Sequence, residues 1–90
     1  MEITEEIKKI LFYLSDETSY RYGFLEKETS ISRKRLKEIM FRLKIAGYVY
    51  WGQTYDEDIG FCGSGHFLTG EGINLKEKLG IKTYYEPFWD

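Results

Sequence analysis

The 90 residues carry 13 lysines and arginines against 15 aspartates and glutamates, a formal charge of −2. That length supports one domain with one modest core, because so short a chain buries only roughly 60% of the surface it exposes unfolded. Apolar and charged shares of 42% and 31% exclude a disordered tail, and the single cysteine excludes an internal disulfide. No apolar run reaches the roughly 18 residues of a membrane span. The start, Met1-Glu2-Ile3-Thr4-Glu5-Glu6, lacks the basic-then-apolar pattern of a signal peptide. The expected location is therefore the cytoplasm, with no membrane partner.

The first helix has the clearest signal. Ile3, Ile7, Ile10, Leu11 and Leu14 form one helical stripe, with Thr4 placed to cap it and Glu5 and Glu6 in the first turn. Asp16-Glu17-Thr18-Ser19 ends it. A short second helix is predicted after Gly23, over Phe24 to Thr29. Ser30-Ile31-Ser32 then makes a turn, and Ser32 caps a third helix running to about Ala46. Gly47 stops it.

The period then changes. Tyr48-Val49-Tyr50-Trp51-Gly52-Gln53-Thr54-Tyr55 is aromatic and β-branched, hence strand-like. Asp56-Glu57-Asp58 predicts a turn. Gly60, Gly63 and Gly65 predict a loose return strand, regular only near His66-Phe67-Leu68. A last helix follows Thr69, with Ile73, Leu75 and Leu79 as its apolar points and Gly80 as its stop. Residues 81–90 form an aromatic tail beyond a domain of residues 1–80.

Charge is segregated along this order. Residues 1–20 carry net −3, residues 21–50 net +5 and residues 51–90 net −4. The basic surplus concentrates in Arg33, Lys34, Arg35, Lys37, Arg42 and Lys44, opposed locally only by Glu38. On a helical wheel Leu36, Ile39, Met40 and Leu43 face the core. Lys34, Lys37, Glu38, Phe41, Arg42 and Ile45 face away. A solvated charged face is the ordinary explanation of such a run. Against it, three cations occupy the first turn of the helix, where the dipole disfavours each by roughly 0.3–1 kcal/mol. Rules broken at a cost tend to be broken at functional sites.

Leu25-Glu26-Lys27-Glu28-Thr29-Ser30-Ile31-Ser32-Arg33, continuing through Leu36, Leu43 and Ala46-Gly47-Tyr48-Val49, resembles the winged helix-turn-helix pattern L-A-E-K-T-G-I-S-R…L…L…A-G-Y-V. Phe67-Leu68-Thr69-Gly70-Glu71-Gly72 is similar to the x-L-T-x-x-G that closes the wing in MarR-like and PadR-like regulators. The resemblance implies an α+β winged helix-turn-helix: a three-helix core, a two-stranded β-hairpin wing and a C-terminal helix. It implies a compact, phage-like or prokaryotic regulator of transcription that binds double-stranded DNA, with the third helix in the major groove. Ser32, Arg33, Lys34, Arg35, Lys37 and Arg42 are then the candidate DNA contacts. Arg33, Lys34 and Lys37 lead; Arg35 has the alternative of turning back towards the second helix, and Arg42 suits a backbone phosphate. Phosphates would also suit the free N–H groups of that first turn.

Three departures stand out. Ser30 replaces the usual turn glycine, which strains the chain if φ there is positive. Glu26 replaces an alanine, which loosens the packing of the two helices. The wing tip is acidic, and each carboxylate that meets a phosphate at 4 Å costs on the order of 1 kcal/mol even in water.

Phe41 and Ile45 face outward where polar residues are usual. Either the tail, with Tyr84, Tyr85, Phe88 and Trp89, folds back over them, or these residues form a homodimer or partner interface. The alternative function follows from this and from the acidic wing: a winged helix that serves as a protein-protein module, a small inhibitor or adaptor, without DNA. No enzyme chemistry is expected. Cys62 and His66 lack an orienting third group, and the chain has no further cysteine or histidine to complete a metal site. No cofactor or metal is expected.

Overall fold

The computed structural model describes residues 1–56 and 60–84, with the backbone alone for 54–56 and 60–63. Helix α1 spans Glu5–Tyr13, and the Thr4 hydroxyl accepts a hydrogen bond from the Ile7 amide at 3.3 Å. Its apolar stripe buries Ile7, Ile10 and Leu11. Helix α2 spans Tyr22–Thr29, two residues longer at its start than the sequence predicts. The Arg21 carbonyl accepts from the Leu25 amide and so draws Tyr22 and Gly23 into the first turn.

Helix α3 spans Arg33–Ile45, and Leu36, Ile39, Met40 and Leu43 are buried as the wheel requires. Full burial of such side chains stabilises the fold by about 1.5–3 kcal/mol each. Gly47, at φ 85°, ends α3. The Tyr48 amide returns to the Leu43 carbonyl and the Gly47 amide to that of Lys44, the paired bonds of a left-handed helix stop.

Between α2 and α3, Ser30 adopts φ 61°. A side chain in the left-handed region costs roughly 1–2 kcal/mol. Ser30→Gly is therefore expected to raise stability by about 0.5–1 kcal/mol, since glycine's looser unfolded chain returns part of the gain. A urea midpoint at or below that of the parent would contradict this. The turn is otherwise well held: the buried Thr29 hydroxyl donates to the Leu25 carbonyl at 2.6 Å and accepts from the Ile31 amide at 3.2 Å.

Strands β1 (Val49–Asp56) and β2 (Gly60–Leu68) pair antiparallel from Val49↔Leu68 to Asp56↔Gly60. The return strand is thus paired from end to end, not only near His66-Phe67-Leu68 as expected from its glycines. One irregularity remains between Thr54 and Tyr55, where Cys62 is the extra residue. Gly65 serves close approach rather than looseness, for a Cβ there would strike the Ser19 side chain. The Leu68 amide donates to the Ser15 carbonyl at 2.9 Å and ties the hairpin base to the chain after α1.

Helix α4 spans Gly70–Lys78. Thr69 joins three elements at its start. Its hydroxyl accepts from the Gly72 amide and donates to the Gly47 carbonyl, and its amide donates to the Tyr48 carbonyl. The predicted apolar points Ile73, Leu75 and Leu79 are half-buried and pack against the core, while the fully buried residues of α4 are Gly72 and Lys76. Lys76 is 4% exposed, and its ammonium donates to the Leu14 carbonyl at 2.7 Å and the Thr83 hydroxyl at 2.6 Å.

Burial lowers the Lys76 pKa from 10.5 to about 8. The folded value lies below the unfolded one, so unfolding takes up a proton between them and stability rises with pH from about 8 to about 10. Above pH 10 the half-buried Tyr22, whose pKa is raised from 10.0 by burial, pulls the other way. Lys76→Met keeps the apolar stem and is expected to flatten the rise. Urea midpoints at about pH 7 and about pH 9.5 measure it, and a parent midpoint that falls over this span would contradict the account.

The chain then folds back along α1. The Tyr84 amide donates to the Phe12 carbonyl at 2.8 Å. Its ring joins Phe12, Tyr13, Tyr20 and Phe24, with centroids 5.1 Å from Tyr13 and 5.9 Å from Tyr20. The described residues thus form an α+β fold of four helices and a two-stranded antiparallel hairpin. No helix among them is long and apolar enough to cross a membrane.

Candidate nucleic-acid interface

The third helix presents its cations on two flanks of an exposed face. Arg33, Lys34, Lys37, Arg42 and Lys44 are all exposed, and none forms an ion pair with another described residue. Arg33 leans over the start of α2, where its Nη2 would be 3.5 Å from a Cβ at Gly23. The Lys37 ammonium sits 5.9 Å from the centre of the Tyr22 ring, within reach of a cation–π contact.

Arg35 behaves differently from its neighbours. Its Nε and Nη2 donate to Glu6 Oε1 at 3.2 and 3.0 Å, and its Nη1 donates to Glu38 Oε2 at 3.2 Å. The carboxylates of Glu6 and then Glu38 raise its pKa further. Arg35 thus turns towards α1, not towards α2, and clamps α1 to α3.

The first turn of α3 has a neutralising neighbour that the sequence conceals. Glu26 Oε2 accepts from the Arg33 amide at 2.8 Å, and the Ser32 hydroxyl accepts from the Arg35 amide at 3.3 Å. Glu26 places a carboxylate at the positive end of α3 and offsets the cations there. The Arg33 and Arg35 amides are consequently taken. Anion contacts at this turn would therefore not run through these two N–H groups.

Beside α3 lies an aromatic group that sequence reasoning missed. Trp51 is 54% exposed, and its ring meets His66 edge-on at 4.9 Å. His66 in turn meets Tyr22 at 6.2 Å. Burial, aided by the charge of Lys44, lowers the His66 pKa from 6.5. The signal was the alternation of β1: Trp51 shares a sheet face with the buried Val49 and extends the core side of the hairpin beyond the core.

The remaining candidates sit elsewhere. Phe41 and Ile45 are 64% and 71% exposed, and they border a groove with Met1, Thr4 and Ile7 at the N-terminal end of α1. Tyr84 packs at the opposite end of that helix, so it does not cover them. Tyr85, Phe88 and Trp89 lie outside the described residues, as do Glu57 and Asp58 of the acidic turn; of Asp56 only the backbone is described. No group of three or more His, Cys, Asp or Glu among the described residues is placed to hold a metal.

No family model matches the chain, and the comparisons with curated proteins and with solved structures found no match.

Proposed function

We propose that the chain is a winged helix-turn-helix protein that binds duplex DNA through α3 and regulates transcription by occluding a promoter. The observation that carries this reading is a set of five exposed cations on α3, none in an ion pair with another described residue, in a chain whose overall charge is negative. A solvated face gains little from such a run of like charges on one helix, whereas a phosphate backbone rewards it. The element order α1, α2, α3, hairpin, α4 is the order a winged helix needs. Thr69, Gly72 and Leu68 give the L-T-x-x-G stretch a structural reason: a cap, a close approach to Tyr48 and a core residue.

Lys34 and Lys37 would enter the major groove, with Arg33, Arg42 and Lys44 on flanking phosphates. Arg35 holds the helix in place from behind. A single copy makes few phosphate contacts, so two copies on a palindromic site complete the proposal. The exposed patch of Met1, Phe41 and Ile45 favours a second reading, a surface for another protein or for that second copy.

Fluorescence anisotropy on a labelled duplex from upstream of its own gene, beside a random-sequence duplex, tests the reading. A clear preference for the upstream duplex is expected. Equal affinity for both would remove the regulatory role, and no binding at about 50 mM salt would remove DNA binding altogether.

A further inference from the structure

We propose that the cleft between the start of α2, the middle of α3 and the base of the hairpin receives one unpaired nucleobase. Its preferred ligand is then a duplex that carries an unpaired nucleotide. This rests on the nucleic-acid reading above and makes it more specific.

The cleft has a volume of about 150 Å³, with Leu14, Leu25 and Met40 at its floor. That is below the roughly 300–1,000 Å³ of a site for a drug-sized ligand, and suits a single flat ring. Tyr22, Trp51 and His66 stand around it, and Trp51 leaves over half of its surface open. An aromatic ring offers a stacking face that any base can use. Arg21 and Ser64, also on the lining, supply hydrogen-bonding groups for a base edge.

The surroundings select a polyanion rather than a peptide. Lys37 lies against Tyr22, Lys44 is close enough to His66 to lower its pKa, and Arg33 lies against Gly23. None of the three is in an ion pair with a described residue. An apolar peptide side chain would fill the cleft and leave these charges idle, whereas an extruded nucleotide places its own phosphates among them. Because extrusion from an intact stack costs a few kcal/mol, a base already unpaired is the better ligand.

The experiment compares two labelled duplexes of one sequence, fully paired or with a single bulged adenine. The full chain is used with Trp89→Phe, which leaves Trp51 as its single tryptophan, and tryptophan is excited selectively. About tenfold tighter binding of the bulged duplex is expected, with quenching of Trp51 on binding. Trp51→Ala should abolish that preference and leave affinity for the paired duplex within about twofold. The quench in the parent decides the matter even if Trp51→Ala does not fold. Equal affinity for both duplexes overturns the inference and leaves duplex binding standing. So does a preference that survives Trp51→Ala, or Trp51 emission that changes on dilution without DNA, the mark of a self-interface. Binding to neither duplex overturns both readings.

Discussion

Lys34→Glu combined with Lys37→Glu is expected to weaken duplex binding at least about a hundredfold at low salt, with the fold intact. Both side chains are exposed and neither is in an ion pair with a described residue, so their reversal breaks no ion pair among the described residues. The fold should notice only the loss of the contact between Lys37 and Tyr22. Each reversal removes an attraction to phosphate and adds a repulsion, which is why the effect exceeds that of two alanines. Arg35→Ala is the contrasting variant. It sits among the same cations in the sequence, yet its guanidinium is held by Glu6 and Glu38. Its loss should cost little stability, since ion pairs open to solvent contribute little, and little DNA affinity. Reversed effects, with Arg35 decisive for DNA and the lysines silent, would place the interface on another face.

The second large effect concerns the joint below the hairpin. Gly72→Ala is expected to destabilise the fold by about 2–3 kcal/mol, because the new Cβ would collide with the Tyr48 carbonyl and press on a methyl of Leu68. A backbone carbonyl cannot swing aside as a flexible side chain does. The Tyr48 carbonyl is also pinned by the Thr69 amide at 3.0 Å. Gly70→Ala, two residues earlier, meets nothing within 4 Å and should be neutral or stabilising by up to about 1 kcal/mol. Unfolding in urea compares the two. Equal effects would mean that the close approach of α4 to Tyr48 is not a constraint.

The sequence predicted best what is decided locally. The caps Thr4, Ser32 and Thr69 and the stops Gly47 and Gly80 act within a turn of their own helices, and each is where its spacing requires. The core face of α3 was equally plain, because four buried positions repeat with the helical period. Features that depend on distant partners were hidden. Arg35 meets Glu6 29 positions away, and Lys76 meets Leu14 62 positions away, so no window of sequence contains either pair.

Lys76 was missed for another reason. Its long apolar stem lets a charged residue occupy a core position when oxygens receive the ammonium, so a polarity pattern assigns it to solvent. The glycines of β2 misled in the opposite direction. They suggested slack, whereas Gly65 is required by the nearness of Ser19. Of the candidate contacts, Arg33, Lys34, Lys37 and Arg42 share the exposed face with Lys44, which the sequence had placed in the basic run but not among the contacts. Trp51 became visible only when pairing with His66 brought the hairpin base beside α3.

The most direct measurement for the central claim is the salt dependence of duplex affinity, from about 50 to 200 mM, for the parent chain and for Lys37→Ala. If about four of the five exposed cations of α3 meet phosphates, one copy gives a slope of log affinity on log salt near −3.6, and Lys37→Ala makes it shallower by about 0.9. A slope near zero, or one that Lys37→Ala leaves unchanged, would contradict an interface built on the exposed face of α3.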